Sequence, residues 1–202
     1  MTATHFLFDI GNVLIDWNPA HLFSKIFADD EERDFFLTEV CPQEWNVEQD
    51  RGRSWADGIA EAKSRHPEYE SQIQTYWDRW METINGPIQE TVEMKRNLRA
   101  AGYPVYALSN YARETFALTE EKYPFLKEFD DRIISAHEGL IKPDPAIFLL
   151  AEERFNLPRE TTLFIDDSEA NIASARELGF MTHHFNEPSA LKTHLRDLGI
   201  AA

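Results

Sequence analysis

The sequence predicts an α/β fold: a mostly parallel sheet with helices on both faces, interrupted after its first strand by an all-helical insertion. Three observations lead there. Short apolar runs without polar alternation, Phe6-Leu7-Phe8, Val105-Tyr106-Ala107-Leu108 and Leu163-Phe164-Ile165, read as strands buried on both faces. Helical patterns separate the later runs, and strands alternating with helices need right-handed crossovers between parallel neighbours. Between Asn18 and Ile84 the apolar residues recur at helical spacing, with no convincing strand before Asn85. The expected organisation is an α/β core of residues 1–17 and 86–202 and a helical cap of residues 18–85.

Taken in order, His5 to Phe8 forms the first strand and ends on Asp9, followed by the flexible Gly11-Asn12. By itself Asp9 reads equally as a turn opener, because Gly and Asn tolerate left-handed backbone. Asn18-Pro19 starts the first helix of the insertion, with Asn as cap and Pro at the first helical position. Ala20, Leu22, Phe23, Ile26 and Phe27 share one face, and Phe35, Phe36 and Val40 mark the next. Ser54-Trp55-Ala56-Asp57 opens another helix, and Tyr69 to Ile84 carries an aromatic stripe at helical spacing. Asn85-Gly86-Pro87 breaks the pattern. Val92 to Ala101 is then helical up to Gly102, Val105 to Leu108 a strand, Tyr111 to Thr119 a helix, and Arg132 to Ser135 a short strand. Pro145 to Phe155 is helical, Thr162 to Asp166 a strand, Ala170 to Leu178 a helix closed by Gly179, Met181 to His184 a last strand, and Leu191 to Leu198 a final helix.

The 202 residues suffice for one large domain or for one domain carrying an insertion, and 43% hydrophobic with 12% aromatic residues suits a packed core. A formal charge of −16 with no basic stripe excludes a nucleic-acid partner. Any anion handled by such a chain needs a metal ion, a lysine or helix N-termini to offset the background field. Cys41 is the lone cysteine and reads as a small buried apolar residue, so no intrachain disulfide forms. No basic segment followed by an apolar stretch opens the sequence, and no window approaches the ~20 apolar residues of a membrane span. A cytoplasmic protein without a membrane partner is expected. Monomer and homodimer stay open.

The strands end on polar groups. Asp9 follows the first, Ser109-Asn110 the second, Asp166-Asp167 the penultimate, and Lys142 lies in the loop Gly139-Leu140-Ile141-Lys142-Pro143-Asp144 that opens a helix. In open α/β sheets the ligand crevice lies outside the carboxyl ends of the strands, so a carboxylate, a hydroxyl, a cation and an acidic pair are delivered to one place. Phe8-Asp9-Ile10-Gly11-Asn12-Val13, Ala107-Leu108-Ser109-Asn110, Lys142-Pro143-Asp144 and Phe164-Ile165-Asp166-Asp167-Ser168 with Asn171 together make the chain resemble the haloacid dehalogenase-like (HAD) hydrolases over nearly its whole length. The subgroup whose first motif is Phe-Asp-x-Gly-Asn-Val contains phosphatases, some acting on sugar phosphates.

The resemblance implies a Rossmann-like core with an inserted helical cap and a Mg²⁺-dependent phosphatase acting on a small phosphorylated metabolite. It makes Asp9 the nucleophile that forms an aspartyl-phosphate, a route that divides one hard displacement into two easier ones. Asp9, the backbone carbonyl of Gly11 and Asp166 would hold Mg²⁺, with Asp167 as a ligand or as the group orienting a bound water or Lys142. Ser109 and the backbone at Asn110, with Gly11 and Asn12 nearby, would bind phosphate, and Lys142 would offset developing charge.

One departure stands out. In most of the family's phosphatases a second aspartate lies two residues beyond the nucleophile and transfers protons, whereas this chain has Gly11. Asp16, on the presumed flap, is a candidate stand-in. The family's dehalogenases also lack that acid, because halide leaves unprotonated, so a metal-independent 2-haloacid dehalogenase using Asp9 is the alternative. A phosphate-binding protein with little turnover is a second. Asp166-Asp167 argues against the dehalogenase, since an acidic pair repels a substrate carboxylate and a departing halide. For specificity, Glu44 to Gly52 offers Trp45 as an apolar platform with Asn46, Gln49 and Arg51 as donors, although a core Trp and a surface Arg fit the same residues. Trp17 is a further candidate wall.

Overall fold

The computed structural model describes residues 2–201. Its centre is a five-stranded, all-parallel sheet of β1 (His5–Phe8), β4 (Val105–Ser109), β5 (Asp131–Ile134), β6 (Thr162–Asp166) and β7 (Met181–His184) in the order β5-β4-β1-β6-β7. β1 is therefore the middle strand: Phe8 lies opposite Ala107 of β4 on one side and Ile165 of β6 on the other. The chain first fills one side of β1 and then returns to fill the other, which puts the topological switch at β1.

Alternate residues of these strands feed two separate cores, as a sheet covered on both faces requires. Phe6, Phe8, Val105, Ala107, Leu163 and Ile165 pack under α6 (Gln89–Ala100) and α11 (Pro188–Asp197), through Val92, Leu98, Leu191 and Leu195. Leu7, Leu108, Ile133 and Phe164 pack under α9 (Pro145–Phe155) and α10 (Glu169–Glu177), through Ile147, Phe148, Ile172 and Ala175. Asp144 caps α9 by accepting from the Ala146 amide, with Pro145 at the first position, where a missing N–H costs nothing.

Between β1 and α6 the chain makes its excursion. β2 (Ile15–Trp17) leaves the sheet and pairs antiparallel with β3 (Ile84–Pro87), and between them lie α1 (Ala20–Phe23), α2 (Asp30–Phe35), a π-turn over Phe36–Val40, α3 (Gln43–Asp50), α4 (Trp55–Arg65) and α5 (Glu70–Asp78). Ser54 caps α4 through its hydroxyl, as its position before Trp55 predicts. The π-turn leaves Phe35 exposed while Phe36 and Val40 are buried. The insertion has an aromatic core: Phe23 lies 4.5 Å from Phe36, Trp45 5.5 Å from Trp55, and Trp55 5.3 Å from Tyr76. That core is continuous with the sheet face bearing Phe6 and Phe8.

Two expectations are corrected. Asn85-Gly86-Pro87 is not a mere break, because Ile84–Pro87 is a strand that pairs with β2; its Asn-Gly-Pro composition lacks the apolar run that betrays a buried strand. The helix expected from Tyr69 to Ile84 is broken at Arg79, whose φ of −121° is not helical, and continues as a tighter 3₁₀ turn over Trp80–Thr83. α7 spans Arg113–Lys122 and the short α8 spans Ser135–Glu138.

The insertion is fastened to the sheet's carboxyl edge by named bonds. Ser135 Oγ donates to the Asp50 carbonyl at 2.6 Å and accepts from the Tyr111 amide at 2.9 Å, and the Trp55 amide donates to Glu114 of α7 at 3.2 Å. On the opposite face, Phe148 is fully buried and meets Phe164 edge-on at 5.3 Å. Phe148→Ala should cost about 3–5 kcal/mol through lost burial and the cavity left behind. Urea denaturation would register this as a lowered midpoint with an unchanged slope.

Candidate active site

Three adjacent strands bring their carboxyl ends to one spot. Asp9 directly follows β1, and its amide extends the β1–β6 ladder by donating to the Ile165 carbonyl at 2.9 Å. Ser109 ends β4 and Asp166 ends β6. Lys142 arrives from the loop before α9, held by the Asn110 side chain: its Nδ2 donates to the Lys142 carbonyl and its Oδ1 accepts from the Lys142 amide, both at 2.9 Å. Asn110 thereby spends its amide on positioning Lys142, leaving only its backbone for a ligand.

The Lys142 ammonium is buried and uses its three hydrogens on three acceptors: Asp166 Oδ2 at 2.5 Å, the Leu108 carbonyl at 2.8 Å and Asp9 Oδ1 at 3.1 Å. Burial alone would lower its pKa, but Asp166 and Asp9 outweigh this and hold it raised, so it is charged. Asp166 is fully enclosed and also accepts from the Ser168 amide at 2.8 Å and from Asn171 Nδ2 at 3.0 Å. Burial pushes the Asp9 carboxyl up to about 7; Lys142 opposes that shift, and Asp166 and Asp167 add to it. Burial and Asp166 also raise Asp167, against a hydrogen bond from Asn12 Nδ2 at 3.2 Å. Asn12 adopts a φ of +53°, as its expected left-handed tolerance allows.

Carboxylate oxygens of Asp9, Asp166 and Asp167 lie within 4.8 Å of one another. Mg²⁺ takes oxygen ligands at about 2.0–2.1 Å, so opposite ligands stand about 4 Å apart, close to this spacing. Three carboxylates facing one ammonium leave a surplus of negative charge. The donor set is all oxygen, and it fits a hard divalent cation. Gly11 lines the same cavity and has no atom within 4 Å of the position its Cβ would take. Ser109 Oγ is buried beside Asp9 and lowers that carboxyl, yet has no hydrogen-bond partner of ordinary geometry. An orphaned buried hydroxyl at this spot is a group in need of a ligand oxygen.

Above these groups is a cavity of about 310 Å³, roofed by the insertion. Gln43, Asn46, Val47 and Asp50 of α3 line it, spaced i, i+3, i+4 and i+7 on one helical face. Trp17, Trp80 and Tyr111 supply aromatic walls, and Trp17 Nε1 is buried without a partner. Asn46 and Trp17 are thus where the sequence expects them. Trp45 and Arg51 follow the other of the two readings the sequence allows, a core Trp and a surface Arg. Trp45 is only 4% exposed, donates through Nε1 to the Gly58 carbonyl at 3.1 Å and belongs to the aromatic core, whereas Arg51 sits on the surface beside Glu48 at 3.5 Å. Gln49 is likewise turned inward, accepting from Arg53 at 2.6 Å. For Trp45 and Gln49 the physical reason is helix phase, since they lie on a face of α3 other than the one turned to the cavity, while Arg51 follows the last residue of that helix. Asp16 is also misplaced for proton transfer. Its carboxyl is bonded to His21 at 3.1 Å and Asn85 at 2.9 Å, lies on the outer β2–β3 ribbon and does not line the cavity; those partners hold its pKa low against a partial burial effect.

Comparison with known proteins agrees with this geometry. A family model described as haloacid dehalogenase-like hydrolase matches residues 3–179. The (S)-2-haloacid dehalogenase of Pseudomonas fluorescens is 28% identical over 116 residues, 54% of this chain and about half (51%) of the dehalogenase's length. The sesquiterpene phosphatase astK of Aspergillus oryzae is 24% identical over 198 residues, 95% of this chain and 94% of that protein. Among solved structures, a HAD family enzyme of Bacteroides thetaiotaomicron in complex with magnesium and inorganic phosphate superposes with a TM-score of 0.70 at 25% identity, covering 91% of this chain and 94% of that one. A predicted HAD-like family hydrolase of Porphyromonas gingivalis gives 0.71 at 26%, covering 97% and 99%.

The electrostatics set a pH dependence for cation binding. Asp9 titrates near 7 in the metal-free fold and near ~3.9 when unfolded. The fold holds that proton more tightly, so this group's contribution to stability is present at low pH and is lost as pH rises through that interval. A divalent cation binds the ionised form and below pH 7 must displace the proton. Differential scanning fluorimetry should show a larger Mg²⁺-induced rise in Tm at pH 8 than at pH 6. Equal increments would remove Asp9 from the ligand set.

Proposed function

This chain belongs to the haloacid dehalogenase-like hydrolases, and from that premise we propose that it is a Mg²⁺-dependent phosphomonoester hydrolase acting on a small phosphorylated metabolite. The observation that carries the reading is the charge pattern: Asp9, Asp166 and Asp167 converge beside one buried ammonium, Lys142. An anionic ester cannot approach such a site until its surplus negative charge is neutralised. Asp9, the Gly11 carbonyl and Asp166, with Asp167 beside them, would hold Mg²⁺, which would supply that neutralisation.

The residues divide the work accordingly. Lys142, itself held by Asp166, and the Ile10 amide both bond Asp9 Oδ1, which leaves the other carboxylate oxygen to react. That oxygen attacks phosphorus to give an aspartyl-phosphate, which water then opens. Ser109 Oγ and the backbone at Asn110 hold phosphate oxygens, and Lys142 balances charge that grows on them. Asn12 braces Asp167. The roof over Asp9 excludes polymers and favours a compact metabolite, for which Trp17, Trp80 and Tyr111 offer flat apolar contact and Gln43 and Asn46 hydrogen bonds. A sugar phosphate meets that description. Cys41, buried and free, suits the reducing cytoplasm.

The second reading, a 2-haloacid dehalogenase, has Gly11 and the Pseudomonas relative in its favour. Against it, Lys142 is the lone Lys or Arg among the described residues lining the cavity, and it is already shared between Asp9 and Asp166. No cation is left to clamp a substrate carboxylate.

Two assays separate the readings. With Mg²⁺ the protein should release phosphate from members of a phosphorylated-metabolite panel, and EDTA should abolish the release. Chloride release from 2-chloropropionate in EDTA, with no phosphate released in Mg²⁺, would establish the dehalogenase instead. Binding of beryllofluoride with neither activity would establish a phosphate-binding protein. Asp9→Asn, which removes the nucleophile, should lower phosphatase turnover by at least about 10³-fold while the protein remains folded by circular dichroism.

A further inference from the structure

Three acids line the cavity: Asp9, Asp167 and Asp50. Asp9 and Asp167 belong to the cluster of carboxylates suited to a cation, and with Gly11 the loop after β1 has no second acid beside Asp9. Asp50 has no part in that cluster. It is the last residue of α3, on the roof, and the sheet's edge holds it there: Ser135 Oγ donates to its carbonyl at 2.6 Å. Just beyond, Gly52 turns the chain with φ +112°, so close to α8 that a Cβ there would stand 3.4 Å from the Ala136 carbonyl.

We propose that Asp50 is the proton-transferring group of the reaction, donating to the departing ester oxygen and then accepting from the water that opens the aspartyl-phosphate. The proposal rests on the phosphatase reading above. An in-line displacement sends the leaving oxygen away from the nucleophile, hence from the floor carrying Asp9 towards the roof carrying Asp50. In the first half, the bond from the Asp9 oxygen to phosphorus forms and the ester P–O bond breaks. The bonding pair leaves on oxygen, and the Asp50 proton converts it to the alcohol. In the second half, water oxygen bonds to phosphorus and the bond to Asp9 breaks. The water proton returns to Asp50, and inorganic phosphate departs.

The chemistry of its surroundings suits the role. Burial is the first cause that raises Asp50, with the charge of Asp9 adding to it and the Ala112 amide and Lys142 opposing, to about 8. The carbonyl end of α3 acts in the same sense. Such a carboxyl carries a proton at neutral pH and can return it. The other candidates fail on geometry: Asp16 lies outside the cavity, and the Tyr111 hydroxyl is engaged with Thr119 at 2.8 Å, its pKa pushed further up by burial.

The test uses the full chain with Mg²⁺ and two esters that differ in their need for a proton. 4-Nitrophenyl phosphate releases a leaving group stable as an anion, while 2-phenylethyl phosphate releases an alkoxide that must be protonated. In rapid-quench measurements of the first turnover, Asp50→Asn should slow 2-phenylethanol release by about 10²- to 10⁴-fold while leaving nitrophenolate release within about threefold. Phosphorylated protein should then accumulate and be visible by intact mass. Adding Gly11→Asp, whose Cβ position is open, should restore alcohol release at least tenfold.

Equal slowing of both esters would make Asp50 a merely structural residue, and no slowing of either would make it a bystander; both results overturn the proposal. Should Asp50→Asn fail to fold, a series of aryl and alkyl phosphates with the unaltered chain decides. Rates nearly independent of leaving-group acidity support an acid at the roof, and a steep dependence overturns it. A wild-type chain that hydrolyses neither ester refutes the phosphatase reading and the proposal with it, an outcome distinct from the variant's pattern.

Discussion

A single buried ammonium organises this molecule. Lys142 ties the end of β4, through the Leu108 carbonyl, to Asp9 after β1 and Asp166 at the end of β6. Two unit charges about 4 Å apart interact by about 4 kcal/mol at an effective dielectric of about 20, so an arrangement of three acids and one base leaves no indifferent geometry. The lysine must be charged because two carboxylates face it, and those carboxylates are buried only because it is there. The acids still outnumber the base, so the site keeps a surplus of negative charge before any substrate is considered.

The rest of the fold supplies the rigidity that this arrangement needs. A parallel sheet covered on both faces holds its strand ends in fixed register, and the middle strand leads directly into Asp9. Asn110 links β4 to the loop carrying Lys142 by two bonds to backbone, so the ammonium is aimed by a neighbouring strand and not by its own loop alone. The insertion is anchored in the same way, on Ser135 and Glu114. Under the proposed function, reaction chemistry from the sheet and selectivity from the roof meet across a cavity whose two walls share one continuous core.

Much of this could be read before any coordinates. Unbroken apolar runs ending on Asp9, Ser109 and Asp166 are each weak signals, because strands also end on such groups where a turn or a helix cap begins, but their recurrence in order points to one site, and Pro145 to Phe155 reads as a helix. What escaped has a physical reason in each case. The β2–β3 ribbon lacks an apolar run because it is short and half exposed. In α3 both faces are largely covered, one by aromatic packing and one by the cavity roof, so hydrophobicity does not reveal which is which; Trp45 looked like a platform and is core, while Asp50 lay unremarked in the same segment. The i, i+3, i+4, i+7 recurrence of Gln43, Asn46, Val47 and Asp50 was the available clue.

The two-stranded ribbon carries a further implication. Because β2 and β3 run side by side, the excursion leaves and re-enters the sheet domain at adjacent points. Changing the length of a closed loop costs only about 0.6 kcal/mol per doubling when the loop is flexible, and here the closure is secured by backbone pairing below the helices. Evolution can exchange, lengthen or prune the helices above that clasp, apart from the end of α3 whose Asp50 acts on Asp9, without retuning the electrostatics beneath it. New substrates are thereby reachable by modular replacement, at little risk to the machinery that they would share.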